Sequence, residues 1–189
     1  YMTTSILPQR YEIFNTGALA TAATLKQICS TVISEGGYEG YSRRYNIDTG
    51  TTPVNLATAS TLYPIIAIRL NGNRLDQVIL PVGLNGIVTS NANIQYQLLL
   101  NPTLTGGTWS THYNGNVDYN TTATAVSGGN VVAGGYINNV DNINLGTLSN
   151  FNFQLGRTIT GVSDVLCFVA IAITPNTKIL ADFSWYETI

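Results

Sequence analysis

The chain has 189 residues, 44% hydrophobic but only 10% charged, with a formal net charge of −2. Ordinary globular proteins carry about a quarter of their residues as Asp, Glu, Lys and Arg, so the polar surface here must come from Asn, Thr, Ser, Gln and Gly. Eight basic residues against ten acidic ones, with no basic cluster beyond Arg43-Arg44, leave no electrostatic footprint for nucleic acid; no run approaches the ~18 apolar residues of a membrane span; and a single histidine excludes any site built on a pair of them. One domain is expected at this length, burying about 70% of the surface that the unfolded chain exposes. So little charge also implies a surface partly covered in an assembly.

In chain order, residues 1–9 read as an entry linker closing at Pro8, and residues 10–189 as a single domain. The start, YMTTSILPQRYE, has neither the basic nor the apolar region of a secretory leader, and Tyr1 reads as a point downstream of a missing or cleaved segment. Arg10 to Asn15 alternates as a first strand. Thr24 to Tyr45 admits two readings. Leu25, Ile28, Cys29, Val32 and Ile33 have helical spacing, with Thr24 as cap and Gly36-Gly37 as stop. The β-branched run ICSTVI and the turn EGGYEG instead suit a hairpin whose second strand is Tyr41 to Asp48. The strand reading is preferred because the rest of the chain is strand-like. Thr51 to Ser60 reads as a loop. Leu62 to Leu70 is a strong strand, with Pro64 marking an early part that lies on an edge. Asn71-Gly72-Asn73 predicts a hairpin whose return strand, Leu75 to Val82, ends at Pro81 before a loop over Gly83 to Asn91. Ile94 to Leu100 alternates and breaks at Asn101-Pro102.

Residues 103–149 form a glycine-rich block. Thr108 to Tyr113, Val117 to Ala123, Val131 to Ile137 and Ile143 to Leu145 lie between its glycine marks, and turn signals about every 8–12 residues are the pattern of a sandwich or barrel. Phe151 to Leu155 alternates. Asp164 to Thr174 is the most apolar strand and is expected at the sandwich centre. Pro175-Asn176 turns the chain into Lys178 to Tyr186, where Ile179, Ala181, Phe183 and Trp185 share a core face. The expected fold class is all-β: an antiparallel β-sandwich, jelly-roll-like, of about eight to ten strands.

Few residues offer chemistry. Cys29 and Cys167 sit in apolar runs without a CxxC partner and read as buried free thiols. His112, in WSTHYNGN, has no nucleophile elbow nearby for a Ser–His–Asp triad. The acids are scattered; Glu35 and Glu39 flank a turn and read as solvated. Asp118 and Asp141 have Asn carbonyls beside them but lack a calcium-loop pattern. The glycine pairs at 36, 106, 128 and 134 form no phosphate-binding loop. No catalytic residue, metal ligand or cofactor is assigned, and the chain reads as a non-enzyme. Asn120-Thr121-Thr122 is a glycosylation sequon, meaningful only in a eukaryotic secretory host. Trp109, Tyr113, Tyr119 and Tyr136 are the candidate binding residues, because aromatic rings supply contact area to a glycan or protein at low entropic cost. The competing reading is that they pack beneath the loops.

Five segments, RYEIFNTG, LKQICSTVISEGGYEG, LLLNPTLTGGTW, FNFQLGRTITGVSD and ILADFSWYE, run in order through nearly the whole chain. Together they resemble a domain of virion structural proteins from tailed bacteriophages, notably those of cyanobacteria and marine bacteria, with ICSTVISEGGYE the most specific part. The resemblance implies a non-catalytic β-sandwich head on the outer surface of a phage particle, C-terminal to a fibre-like or anchoring segment and assembled in the host cytoplasm. The partners expected are further copies of the chain as a homotrimer, other virion proteins, and a host-surface glycan or protein receptor. The second reading is a carbohydrate-binding module of a secreted or cell-surface protein.

Overall fold

Runs of β-branched and aromatic residues, punctuated by Gly, Asn and Pro, favour short strands over helices. Strands are the only regular elements among the described residues of this computed structural model, which are 43–72, 78–113, 115–137, 142–144, 154–158 and 161–187. All belong to the unit Tyr41–Ile189. The expected linker, the strand at Arg10, both readings of residues 24–42, Cys29, Glu35, Glu39 and Asp141 lie outside the described residues.

The strands are β1 (Arg43–Asp48), β2 (Val54–Leu56), β3 (Leu62–Leu70), β4 (Ile79–Val88), β5 (Ile94–Leu100), β6 (Thr103–Thr105), β7 (Ser110–Thr111), β8 (Val117–Asn120), β9 (Ala125–Ser127), β10 (Asn130–Ile137), β11 (Asn142–Asn144), β12 (Val165–Ala172) and β13 (Thr177–Glu187). They form antiparallel sheets. In one, β13 carries β1 and β2 along one side and β4 on the other, with β11 beyond β4. The other has the order β10-β5-β12-β3-β8-β7. A separate ribbon pairs β6 with β9.

Strand alternation builds the core between the two sheets. β13 contributes Ile179, Ala181, Phe183 and Trp185, as its period-two pattern predicts. The second sheet answers with Leu166, Phe168, Ala170 and Ala172 from β12, Ile66, Ile68 and Leu70 from β3, and Ile94, Tyr96 and Leu98 from β5. Each large side chain buried this way stabilises the fold by about 1.5–3 kcal/mol. The described residues thus form an all-β antiparallel sandwich. The opposite face of β13 is polar: Asp182 accepts hydrogen bonds from the amides of Asn46 on β1 (2.8 Å) and Asn85 on β4 (3.1 Å).

β12 is central in its sheet, as expected, and is covered on both faces. Its outward residues Cys167 and Val169 meet Ala67 of β3 and Leu99 of β5, and Leu104 of β6, Val126 of β9 and Trp109 pack over them. This third, thin layer explains why 165–172 is apolar without alternation: a strand with two buried faces has no polar side. To reach β10 from the ribbon, the chain passes Gly128 and Gly129, both left-handed (φ 66° and 82°). A Cβ on Gly129 would lie 2.9 Å from the Leu100 carbonyl oxygen, so glycine is required there.

Pro64 behaves as expected. β8 pairs only with Ala67–Leu70, so the early half of β3 has one free side, and the register skips Ile65 as a bulge next to the proline. Four expectations are corrected. Asn71-Gly72-Asn73 does not close a hairpin, because β3 and β4 lie in different sheets. Over Ala67–Arg69 both sides of β3 are taken by β12 and β8, and the Asn71 N–H donates to the Asn116 carbonyl (2.8 Å). Pro81 does not end its strand. It sits beside a bulge at Val82, beyond the stretch Asn85–Ile87 that pairs with β11, so no ladder bond needs its missing N–H. The strand therefore runs through 83–88, read as loop from sequence, and the loop over 51–60 contains β2.

Burial pushes the Cys167 thiol up to about 12. The unfolded chain releases that proton near pH 9 while the folded chain keeps it, so the folded state binds more protons and stability falls as pH rises through this window. The expected loss is about 1.4 kcal/mol per pH unit from this group. Urea melts at several alkaline pH values should show a shallower decline for Cys167→Ala than for the parent. Iodoacetamide should modify Cys167 in urea and spare it in the folded protein.

Candidate functional site

The four aromatic candidates are distributed across one sheet by strand phase. Val117 and Tyr119 of β8 turn toward the core, and Asp118 and Asn120 turn outward. Tyr119 therefore packs half-buried on the main core. Trp109 lies half-buried on the outer face of the sheet, over the Ala67–Cys167 patch, with the Arg69 guanidinium 4.2 Å above its ring centroid. Tyr113 stands 85% exposed at the β7–β8 turn, and Tyr136 stands 74% exposed on β10. Three strands separate β10 from β8, which at the usual strand spacing is about 19 Å. One sugar ring cannot stack on both ends, so the four residues do not form one platform. Tyr113 and Tyr136 are the two that a partner can reach.

The outward polar residues of this region are committed to one another. Arg69 donates through Nε and Nη2 to Oδ2 of Asp118, each at 3.3 Å. Oδ1 of Asp118 accepts from Asn71 Nδ2 (2.9 Å) and Thr111 Oγ1 (3.0 Å). Both carboxylate oxygens are thus engaged in binding β3 to the β7–β8 hairpin. Asn120, although on the outer face of the strand, is buried, and its Oδ1 accepts from the Thr122 N–H (2.9 Å) in a local turn.

A second cluster joins this hairpin to the other sheet. Glu187, only 2% exposed, accepts hydrogen bonds from the Asn116 N–H (3.0 and 2.9 Å to its two oxygens), from Asn116 Nδ2 (3.0 Å) and from the Trp185 indole N–H (3.1 Å). His112 reaches across to β1, where its Nε2 lies 3.1 Å from the Asn46 carbonyl oxygen. A carbonyl only accepts, so Nε2 carries the proton. The ring is enclosed by Tyr45 at 5.2 Å, Trp185 at 5.3 Å and Tyr119 at 6.4 Å between centroids, all edge-on. Gly115 admits this closure: a Cβ there would come within 2.9 Å of Glu187 Oε1 and 3.2 Å of His112 Nδ1. Chemically the cluster is a latch: Glu187 takes its donors from both sheets, and His112 Nε2–H bonds to β1, while the buried His112 Nδ1 has no hydrogen-bond partner.

Sequence reasoning missed Glu187, although the signal was present. It continues the inward phase 179, 181, 183, 185, so a carboxylate falls on a core position. The strand expected over Lys178 to Tyr186 ends one residue before it. No protein-family model, no curated protein and no solved structure matches the chain.

Removing the Glu187 carboxylate strands three buried or half-buried donors. Glu187→Ala should therefore cost about 3 kcal/mol in denaturant unfolding, and Glu187→Gln, which keeps an acceptor oxygen, should cost visibly less.

Proposed function

We propose that the chain is a non-catalytic structural domain of a bacteriophage virion, displayed on the outer surface as a fibre head or capsid decoration. In this reading it self-associates as a homotrimer, contacts other virion proteins, and serves attachment to a host receptor or stabilisation of the particle. The observation that carries the reading is a row of side chains across the outer face of the larger sheet. Leu62 of β3, Ile171 of β12, Gln95 of β5 and Tyr136 of β10 are consecutive partners in the strand register. They lie beyond the patch covered by Trp109 and the ribbon, and Leu62, Tyr136 and the nearby Ile173 are exposed. A row of largely apolar, partly exposed side chains on a chain with so little charge suits assembly and recognition better than free solution. The polar groups described above are occupied in holding the sandwich together, which supports a scaffold role.

The second reading, a carbohydrate-binding module, draws on the same row, because Tyr136 offers a ring beside the amide of Gln95. Light scattering of the purified chain over a range of concentrations, paired with binding to intact host cells and to isolated glycans, separates the two. A mass that is a multiple of three chain masses, with cell or particle binding, is the result expected for the virion domain. A monomer that binds isolated glycans, and loses them in Tyr136→Ala, favours the module.

A further inference from the structure

An edge strand turns every second N–H and C=O outward and templates a further strand, unless shortness, charge or a bulge blunts it. Among the described residues, most sheet edges are blunted. β1 carries exposed Arg43, Arg44 and Asp48; β2 and β11 have three residues each, and β7 has two. β10 is the exception: eight residues, NVVAGGYI, without one charged side chain.

Its geometry restricts what can pair there. The ladder to β5 skips Val132 as a bulge between Val131 and Ala133, so the regular part is Ala133–Ile137. Within that part, Gly134 and Tyr136 face outward with Gln97 and Gln95, and Ala133, Gly135 and Ile137 face the core with Leu98, Tyr96 and Ile94. Tyr136 is a large ring standing in solvent, and two positions before it Gly134 leaves bare, exposed backbone.

We propose that the β10 edge is a two-fold contact between copies of this chain, in which Ala133–Ile137 pairs antiparallel with the same segment of a second copy about Gly135. That register sets Tyr136 opposite Gly134 of the second copy and Ala133 opposite Ile137 of the second copy. Each pair then lies on one face of the continued sheet, which is the condition for strand pairing. A shift by one residue would set an outward side chain against an inward one. A ring opposite a glycine covers exposed backbone, a known stabilising cross-strand arrangement. The segment is self-complementary, as a two-fold interface requires, and no like charges meet at the axis. The bulge at Val132 limits the pairing to these five residues. The contact goes beyond the virion reading and is independent of it, since it doubles whatever mass the chain otherwise has.

Light scattering on the parent, Tyr136→Lys and Val162→Lys tests it. The parent should have twice the mass of Tyr136→Lys. Val162→Lys, an exposed apolar position away from both β10 and the outer row, should match the parent. Equal masses for all three, or dissociation by Val162→Lys to the same extent, would overturn the contact. A parent three times the mass of Tyr136→Lys would also overturn it, because Tyr136 would then belong to the trimer of the virion reading instead. Should Tyr136→Lys fail to fold, amide exchange of the unmodified protein decides. Exchange at Ala133–Ile137 should slow about tenfold from dilute to concentrated solution, and exchange that does not depend on concentration overturns the proposal.

Discussion

The structure depends on burying β12 from both sides. A strand with no polar face holds its place only if each face meets a layer of its own. One face supplies Leu166, Phe168 and Ala170 to the main core, and the other supplies Cys167 and Val169 to the patch beneath Trp109 and the ribbon. The glycine-rich block is therefore more than a set of surface loops. It holds the cover that lets the most apolar segment of the chain occupy the centre of a sheet. The cost of ionising Cys167 follows from the same burial: a thiol enclosed on all sides has no water to solvate its charge.

Closing the sandwich is a separate problem, solved with polar groups. The β7–β8 hairpin belongs to one sheet, and Trp185, Glu187 and Asn46 belong to the other. Glu187 and His112 bridge them with hydrogen bonds, inside a ring of Tyr45, Tyr119 and Trp185. A buried carboxylate is tolerated because three donors converge on it. On the outer face, Arg69 and Asp118 tie the same hairpin to β3. Three charged groups, Arg69, Asp118 and Glu187, thus serve these junctions, and none lies on the β10 edge or in the outer row.

Tyr119 and Trp109, chosen as recognition residues for their type and neighbourhood, show why composition misleads about sites. In a strand, facing is decided by phase, and Tyr119 has the phase of Val117. Trp109 lies where the outer face needs a cover, and Arg69 closes over it. Tyr113 and Tyr136 have the exposure that recognition requires, but they stand at opposite ends of the sheet.

By itself the sequence determined that the chain forms strands, where most of them break, and which residues of β13 and β12 are buried. Those properties follow from alternation and turn chemistry, which act over a few residues. Only the tertiary structure decided which strands pair. The Asn-Gly turn after β3 looks like a hairpin locally, but β3 is held by β12 and β8, and β4 is drawn to β13 in the other sheet. It also decided that Pro81 can lie inside a strand and that Glu187 can lie inside a core. Both depend on what stands opposite them: an unpaired strand side in one case, three converging donors in the other. The physical reason is that a residue's phase is a property of its neighbours in the chain, and its partner is set by burial summed over residues far apart in sequence.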